Sequence, residues 1–228
     1  MRPADKSRSL TAKHPIRVWR RPCWAASRFD LGSGAPHILA MAILKIARMG
    51  HPVLTGRANE VADPTAPEIR RLVADMIETM EDSDGAGLAA PQVHVPLRIV
   101  VFQAPEERTD PGPPESERFD HTAPLTVLIN PVVDVMTSEL EGGWEGCLSV
   151  PGLRGWVERP LHVRYRGVDT AGAPIARTAR GFHARVVQHE CDHLEGILYP
   201  ARMRDLSKLM FESEAHHWVA GEAARGRE

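Results

Sequence analysis

Cysteine is scarce in this chain, and a disulfide framework is excluded with it. Only Cys23, Cys147 and Cys191 are present, too few and too unevenly spaced to staple a secreted scaffold, so a reducing cytosol is the expected compartment. No apolar run is long enough to span a bilayer. Charge of one sign is also missing: 28 basic against 30 acidic residues leave a formal net charge of -2. The molecule as a whole therefore has no electrostatic reason to seek nucleic acid or an anionic membrane. With 43% hydrophobic and 25% charged residues over 228 positions, what remains is a soluble globular chain that can bury a sizeable core.

The first forty residues are poor in acid. Arg2, Lys6, Arg8, Lys13, Arg17, Arg20, Arg21 and Arg28 face only Asp5 and Asp30. Residues 1–40 are expected to form a disordered basic leader, or to precede a start at Met41, with an organellar transit peptide as the lesser alternative. From Met41 the sequence becomes patterned. Thr65-Ala66-Pro67-Glu68 reads as a capping box with Thr65 as N-cap, followed by Ile69, Leu72, Val73, Met76, Ile77 and Met80 at helical spacing. Asp84, Gly85 and Gly87 end that amphipathic helix. Leu97 to Phe102 predicts a strand, and residues 103–124, with five prolines, a surface loop. Leu125 to Val133 predicts a second strand with an edge position or bulge at Pro131. Leu161 to Val168 alternates as a half-buried strand does, and Arg180 to Leu194 predicts a long helix stopped by Gly196. Asp205 to Phe211 predicts a short final helix. The fold class expected is α+β, with antiparallel strands packed around a central helix.

That central helix carries His189-Glu190-Cys191-Asp192-His193. Positions i and i+4 share a helix face, so both imidazoles reach one cation. Glu190 lies about 100° around from His189, beside the metal without ligating it, where it can take a proton from water. Cys191, about 200° around, points away and reads as core. A catalytic site needs a third ligand. A histidine six positions on, as in one protease class, is excluded by Tyr199. Glu212 would complete a zinc endopeptidase, and Cys147, in Glu145-Gly146-Cys147-Leu148-Ser149, would complete a thiolate–imidazole site with a fourth position open. The run Gly142 to Gly146 around it reads as turn-rich.

Three segments together narrow this choice. Gly85-Ala86-Gly87-Leu88-Ala89-Ala90-Pro91-Gln92, Glu145-Gly146-Cys147-Leu148-Ser149 and Gln188-His189-Glu190-Cys191-Asp192-His193 resemble, in order and separation, the signature motifs of the peptide deformylases. The resemblance runs from about Met41 to Leu209. It implies a catalytic domain over residues 41–212, a tail over 213–228, and removal of the formyl group from the N-terminal formylmethionine of nascent chains.

It further implies that Cys147, His189 and His193 hold one divalent ion, Fe(2+) before zinc or others, with Glu190 as proton shuttle. Gln92 and the Leu148 amide would be oxyanion donors. Phe182 and Val186 would line the methionine site, Gly87 would leave space for the substrate backbone, Glu145 and Arg159 would brace the cysteine loop, and Asp192 and Gln188 receive no catalytic role. The expected partners are N-formylmethionyl peptides at the ribosome exit of a bacterial-type cytoplasm, with no direct nucleic-acid motif and no membrane. A non-catalytic, ribosome-associated binding module on the same scaffold is the remaining alternative.

Overall fold

The structure, a computed structural model, describes residues 42–106 and 118–218. The expectations for the leader, for residues 107–117 of the loop and for the tail beyond 218 lie outside the described residues.

The first helix, α1 (Pro67–Asp82), buries Ile69, Val73, Met76 and Met80, the apolar stripe predicted from its spacing. Its start differs from the expected capping box. The N-cap is Ala66, with no side-chain cap bond, while the Thr65 amide and hydroxyl donate to Asp63 Oδ1 at 2.9 and 2.7 Å. A charged carboxylate is the stronger acceptor for Thr65, and Pro67 at the first helical position has no N–H that needs a cap.

The larger sheet joins β1 (Gly87–Ala89), β2 (Ile99–Ala104), β3 (Ala123–Val135), β6 (His162–Val168) and β7 (Pro174–Arg180), antiparallel in the order β1-β2-β3-β6-β7. A short helix, α2 (Arg118–His121), precedes β3. The alternation of β2 divides the core. Ile99 and Val101 pack with the α1 stripe, whereas Val100 and Phe102 pack with Val187 and Leu194 of α3 (Gly181–Leu194). The sheet therefore lies between two helices. Pro131 marks a bulge, as predicted: pairing shifts between Ile129↔Val168 and Val132↔Arg166, and Asn130 takes φ 51°. With β2 and β6 on either side, β3 is an interior strand.

The smaller sheet corrects the sequence reading. Gly142 to Gly146 is not a turn but part of β4 (Leu140–Cys147), which pairs with β5 (Val150–Pro160), with β8 (Leu209–Phe211) outside it. The glycines serve close approach: a side chain at Gly142 would overlap the Trp156 indole, and one at Gly143 the Arg185 guanidinium. The predicted C-terminal helix is also corrected. Asp205 Oδ1 caps a single 3-10 turn, Leu206–Lys208, after which Leu209 pairs with Gly155 and Phe211 with Leu153. Pairing to β5 prevails there over local helix preference.

The helix α3 runs between the sheets, with buried residues all around it. It ends as predicted. Gly196 adopts φ +73°, the Ile197 amide bonds Asp192 O at 2.9 Å, and the Gly196 amide reaches His193 O. A Cβ on Gly196 would stand 2.6 Å from Thr55 backbone atoms. Gly196→Ala is therefore expected to destabilise the fold by about 2 kcal/mol or more, from the left-handed backbone and the clash together. A urea midpoint unchanged from the parent protein would contradict this.

Candidate metal centre

Helix α3 sets His189 and His193 one turn apart on one face, with ring centroids 5.1 Å from each other. β4 ends at Cys147, and the turn into β5 lays its sulfur 3.4 Å from His193 Nε2. One donor atom from each of Cys147, His189 and His193 falls within 4.8 Å of the others. Both histidines are buried and the cysteine is half-buried.

Two observations test whether this cluster suits a cation. His189 Nδ1 is held by Glu145 Oε2 at 2.8 Å, which leaves Nε2 for the cluster. His193 Nδ1 is buried without a hydrogen-bond partner, so the contact from Nε2 to the Cys147 sulfur is the polar tie on that ring. Burial opposes charge on His189, yet hydrogen bonding to Cys147 and Glu145 outweighs it and raises its proton affinity. Burial, with His189 alongside, lowers that of His193. A cation among one thiolate and two imidazoles would take over the proton's electrostatic role. The donor set fits Zn(2+) or Fe(2+) and leaves a fourth position open.

Behind the ligands lies a buried ionic network. Glu145 accepts from Arg159 at 2.6 and 2.9 Å, from Arg185 at 2.9 Å and from His189. Burial alone would raise the Glu145 carboxyl, but the bonds from Arg159 and His189 prevail and hold it well below the usual carboxylate range. Arg159 also reaches Asp192 at 2.8 Å, and Arg202 closes on Asp192 at 2.5 and 3.1 Å. The Glu145–Arg159 brace expected from sequence is present. Arg185 and Arg202 were not read from sequence; Arg185, one turn before His189 on the same face, is the polar interruption that marks it. Asp192, left unassigned, is the far anchor of Arg159, and Gln188 bonds Pro160 O and Ala184 O at 3.0 Å each.

Glu190 is buried beside the cluster, its Oε2 unpartnered, and burial pushes its carboxyl up to about 7. The room left by Gly87 is taken by this carboxylate, which any side chain there would overlap. Gly87 thus accommodates Glu190, a closer reason for glycine than the open space expected. Gln92 Oε1 accepts from the Ala89 amide at 2.8 Å, which turns its Nε2 toward Cys147 Sγ at 3.5 Å and Ser149 Oγ at 3.2 Å. The Ser149 amide adds a contact to the same sulfur at 3.4 Å. Leu148 sits in the turn directly after Cys147. Val186 and Phe182 join the apolar cluster of Ala89 and Val187, Val186 buried and Phe182 partly so. Cys191 packs against that cluster too, and burial raises its thiol to about 12. Glu212 is exposed and paired with Arg154 at 2.6 Å.

Removing the charge that orients His189 isolates the network's contribution. Glu145→Gln is expected to weaken metal binding roughly 10- to 100-fold and to destabilise the fold by about 3 kcal/mol, because two buried arginines lose their shared anion. Competition with a chelator measures the first and denaturant unfolding the second; parent values for both would contradict the role.

Comparison with known proteins agrees with this geometry. The family model described as "Polypeptide deformylase" matches residues 43–209. A peptide deformylase of Bordetella pertussis is 53% identical over 164 residues, 72% of this chain and 89% of that protein. One from Nitrosomonas europaea is 51% identical over 167 residues, covering 73% and 91%. Among solved structures, the peptide deformylase of Ehrlichia chaffeensis has a TM-score of 0.67 at 32% identity, covering 82% of this chain and all of that one. The Acinetobacter baumannii enzyme with Met-Ala-Ser bound has 0.63 at 34% identity, covering 72% and 99%. This chain belongs to the peptide deformylase family.

Proposed function

We propose that the cluster is the active site of a hydrolase that removes the N-formyl group from N-terminal formylmethionine, releasing formate and a free amine. The observation that carries this reading is the approach of Cys147, His189 and His193 to one point, with Glu190 buried beside them. Cys147 and the two histidines would hold one divalent ion, with α3 as the metal-binding helix. When bound, that ion lowers the pKa of water and polarises the formyl carbonyl. Fe(2+) is the ion proposed for this mixed thiolate–imidazole set, ahead of zinc.

The remaining work belongs to the chain's own groups. Glu190 takes the proton from the attacking water and returns it to the departing amine nitrogen. Its raised proton affinity suits a group that must both accept and release at neutral pH. Gln92 Nε2, aimed by the Ala89 amide, and the Leu148 N–H are the proposed donors to the oxygen that gains charge as the formyl carbon turns tetrahedral. Phe182 and Val186 would form part of the apolar wall for the methionine side chain, and Gly87 leaves room for the Glu190 carboxylate. The tripeptide in the Acinetobacter enzyme begins with methionine, as the product of such a reaction does, which supports formylmethionyl peptides as the substrate class. Nascent chains leaving the ribosome in the cytoplasm are their proposed source. No helix among the described residues is long and apolar enough to cross a membrane.

The endopeptidase alternative needs Glu212, which is engaged at the surface by Arg154. The binding-module alternative leaves the buried Glu190 without a purpose. Substitution separates the three. Glu190→Ala is expected to keep its metal and lose roughly 100- to 10,000-fold in kcat, Cys147→Ser to lose the metal, and Glu212→Ala to match the parent. Metal content and formate release from a formyl-Met-Ala peptide, measured without oxygen, read all three. Metal loss in Glu190→Ala, or in Glu212→Ala with Cys147→Ser unaffected, would overturn the assignment.

A further inference from the structure

A groove of roughly 690 Å³ lies outside the metal cluster and holds none of its ligands. Lys45 and Arg48 line it with His51 and His94, and Leu148 and Pro151 of the β4–β5 turn complete its wall. Among the described residues, no acidic one lines it. Lys45 and Arg48 are exposed, and among the described residues neither has an ion-pair partner. In a chain of net charge -2, this is a local basic site rather than a general field.

The groove is also fixed relative to the cluster. The Ala47 amide bonds Gln92 O and the Met49 amide bonds Ser149 O, each at 2.7 Å. Gln92 and Ser149 both contact the Cys147 sulfur. The basic segment is thus stitched to the residues around the proposed reaction centre, and Leu148 belongs to both places. Apolar walls with cations at the rim suit a short peptide carrying a carboxylate. A polyanion such as RNA would meet a protein that is otherwise slightly acidic.

We propose that this groove is a subsite for an acidic side chain of the substrate, downstream of its formylated methionine. The proposal rests on the deformylase reading, since the formyl end is committed to the metal cluster and only later residues can reach the groove. Lys45 and Arg48 would attract the carboxylate, and Leu148 and Pro151 would pack its aliphatic stem.

The test compares kcat/KM for formylated hexapeptides that carry Asp, Ala or Lys at each of positions three to six. The metal-loaded parent protein is compared with a Lys45→Ala/Arg48→Ala double variant. At low salt the parent is expected to prefer Asp over Lys by about 3- to 10-fold at one or more positions, as two exposed ion pairs provide. The double variant should lose that preference and still turn over formyl-Met-Ala at the parent rate. No preference in the parent, or one that persists in the double variant, would overturn the subsite. Equal peptide rates, with a short RNA oligonucleotide bound by the parent and not by the variant, would assign the groove to nucleic acid and also overturn it. Failure of the parent on formyl-Met-Ala would overturn the deformylase reading and the subsite with it, and is recognisable because it is independent of peptide charge.

Discussion

A carboxylate that accepts from two arginines and a histidine in a buried site ties strand β4 to helix α3. Glu145 sits on β4, two residues before Cys147, while Arg185 and His189 belong to α3 and Arg159 to β5. Burying such a group alone would be prohibitive. Surrounded by cations it stays ionised, and each bond to it fixes a distance between strand and helix. The cysteine and the two histidines come from chain segments more than forty residues apart, and this clamp is one of the links that bring them together. Asp192 and Arg202 extend it to the far end of α3.

Buried charged groups also explain two of the glycines. Gly143 leaves room for the Arg185 guanidinium, and Gly87 for the Glu190 carboxylate. In both places the missing side chain lets a buried charged group come close to a backbone. A sequence reader meets these glycines as turn signals, because the charged groups they accommodate lie far away in the chain. This is why β4 was hidden, and β5 with it: its strand pattern is broken by small residues whose purpose is tertiary.

Features set by local chemistry were legible from the start. The α1 stripe, the bulge at Pro131, the alternation of β6, the stop at Gly196 and the shared face of His189 and His193 follow from periodicity or backbone preference. Features set by competition were not. Asp63 took Thr65 away from its expected cap, and pairing with β5 turned Leu209–Phe211 from helix into strand. Residues of the supporting network, Arg185, Arg202 and Asp192, carry no local signature beyond a charge within a buried helix or just after it. Resemblance pointed to Cys147 as the third ligand, while spacing alone left Cys147 and Glu212 both open.

The account stands on one sulfur and two ring nitrogens sharing a cation. X-ray absorption at the metal edge of protein purified without oxygen addresses this most directly. One sulfur at about 2.3 Å and two nitrogens at about 2.0–2.1 Å, the distances ordinary for thiolate and imidazole ligands, are predicted. A first shell of nitrogen and oxygen with no sulfur would remove Cys147 from the centre and contradict the mechanism built on it.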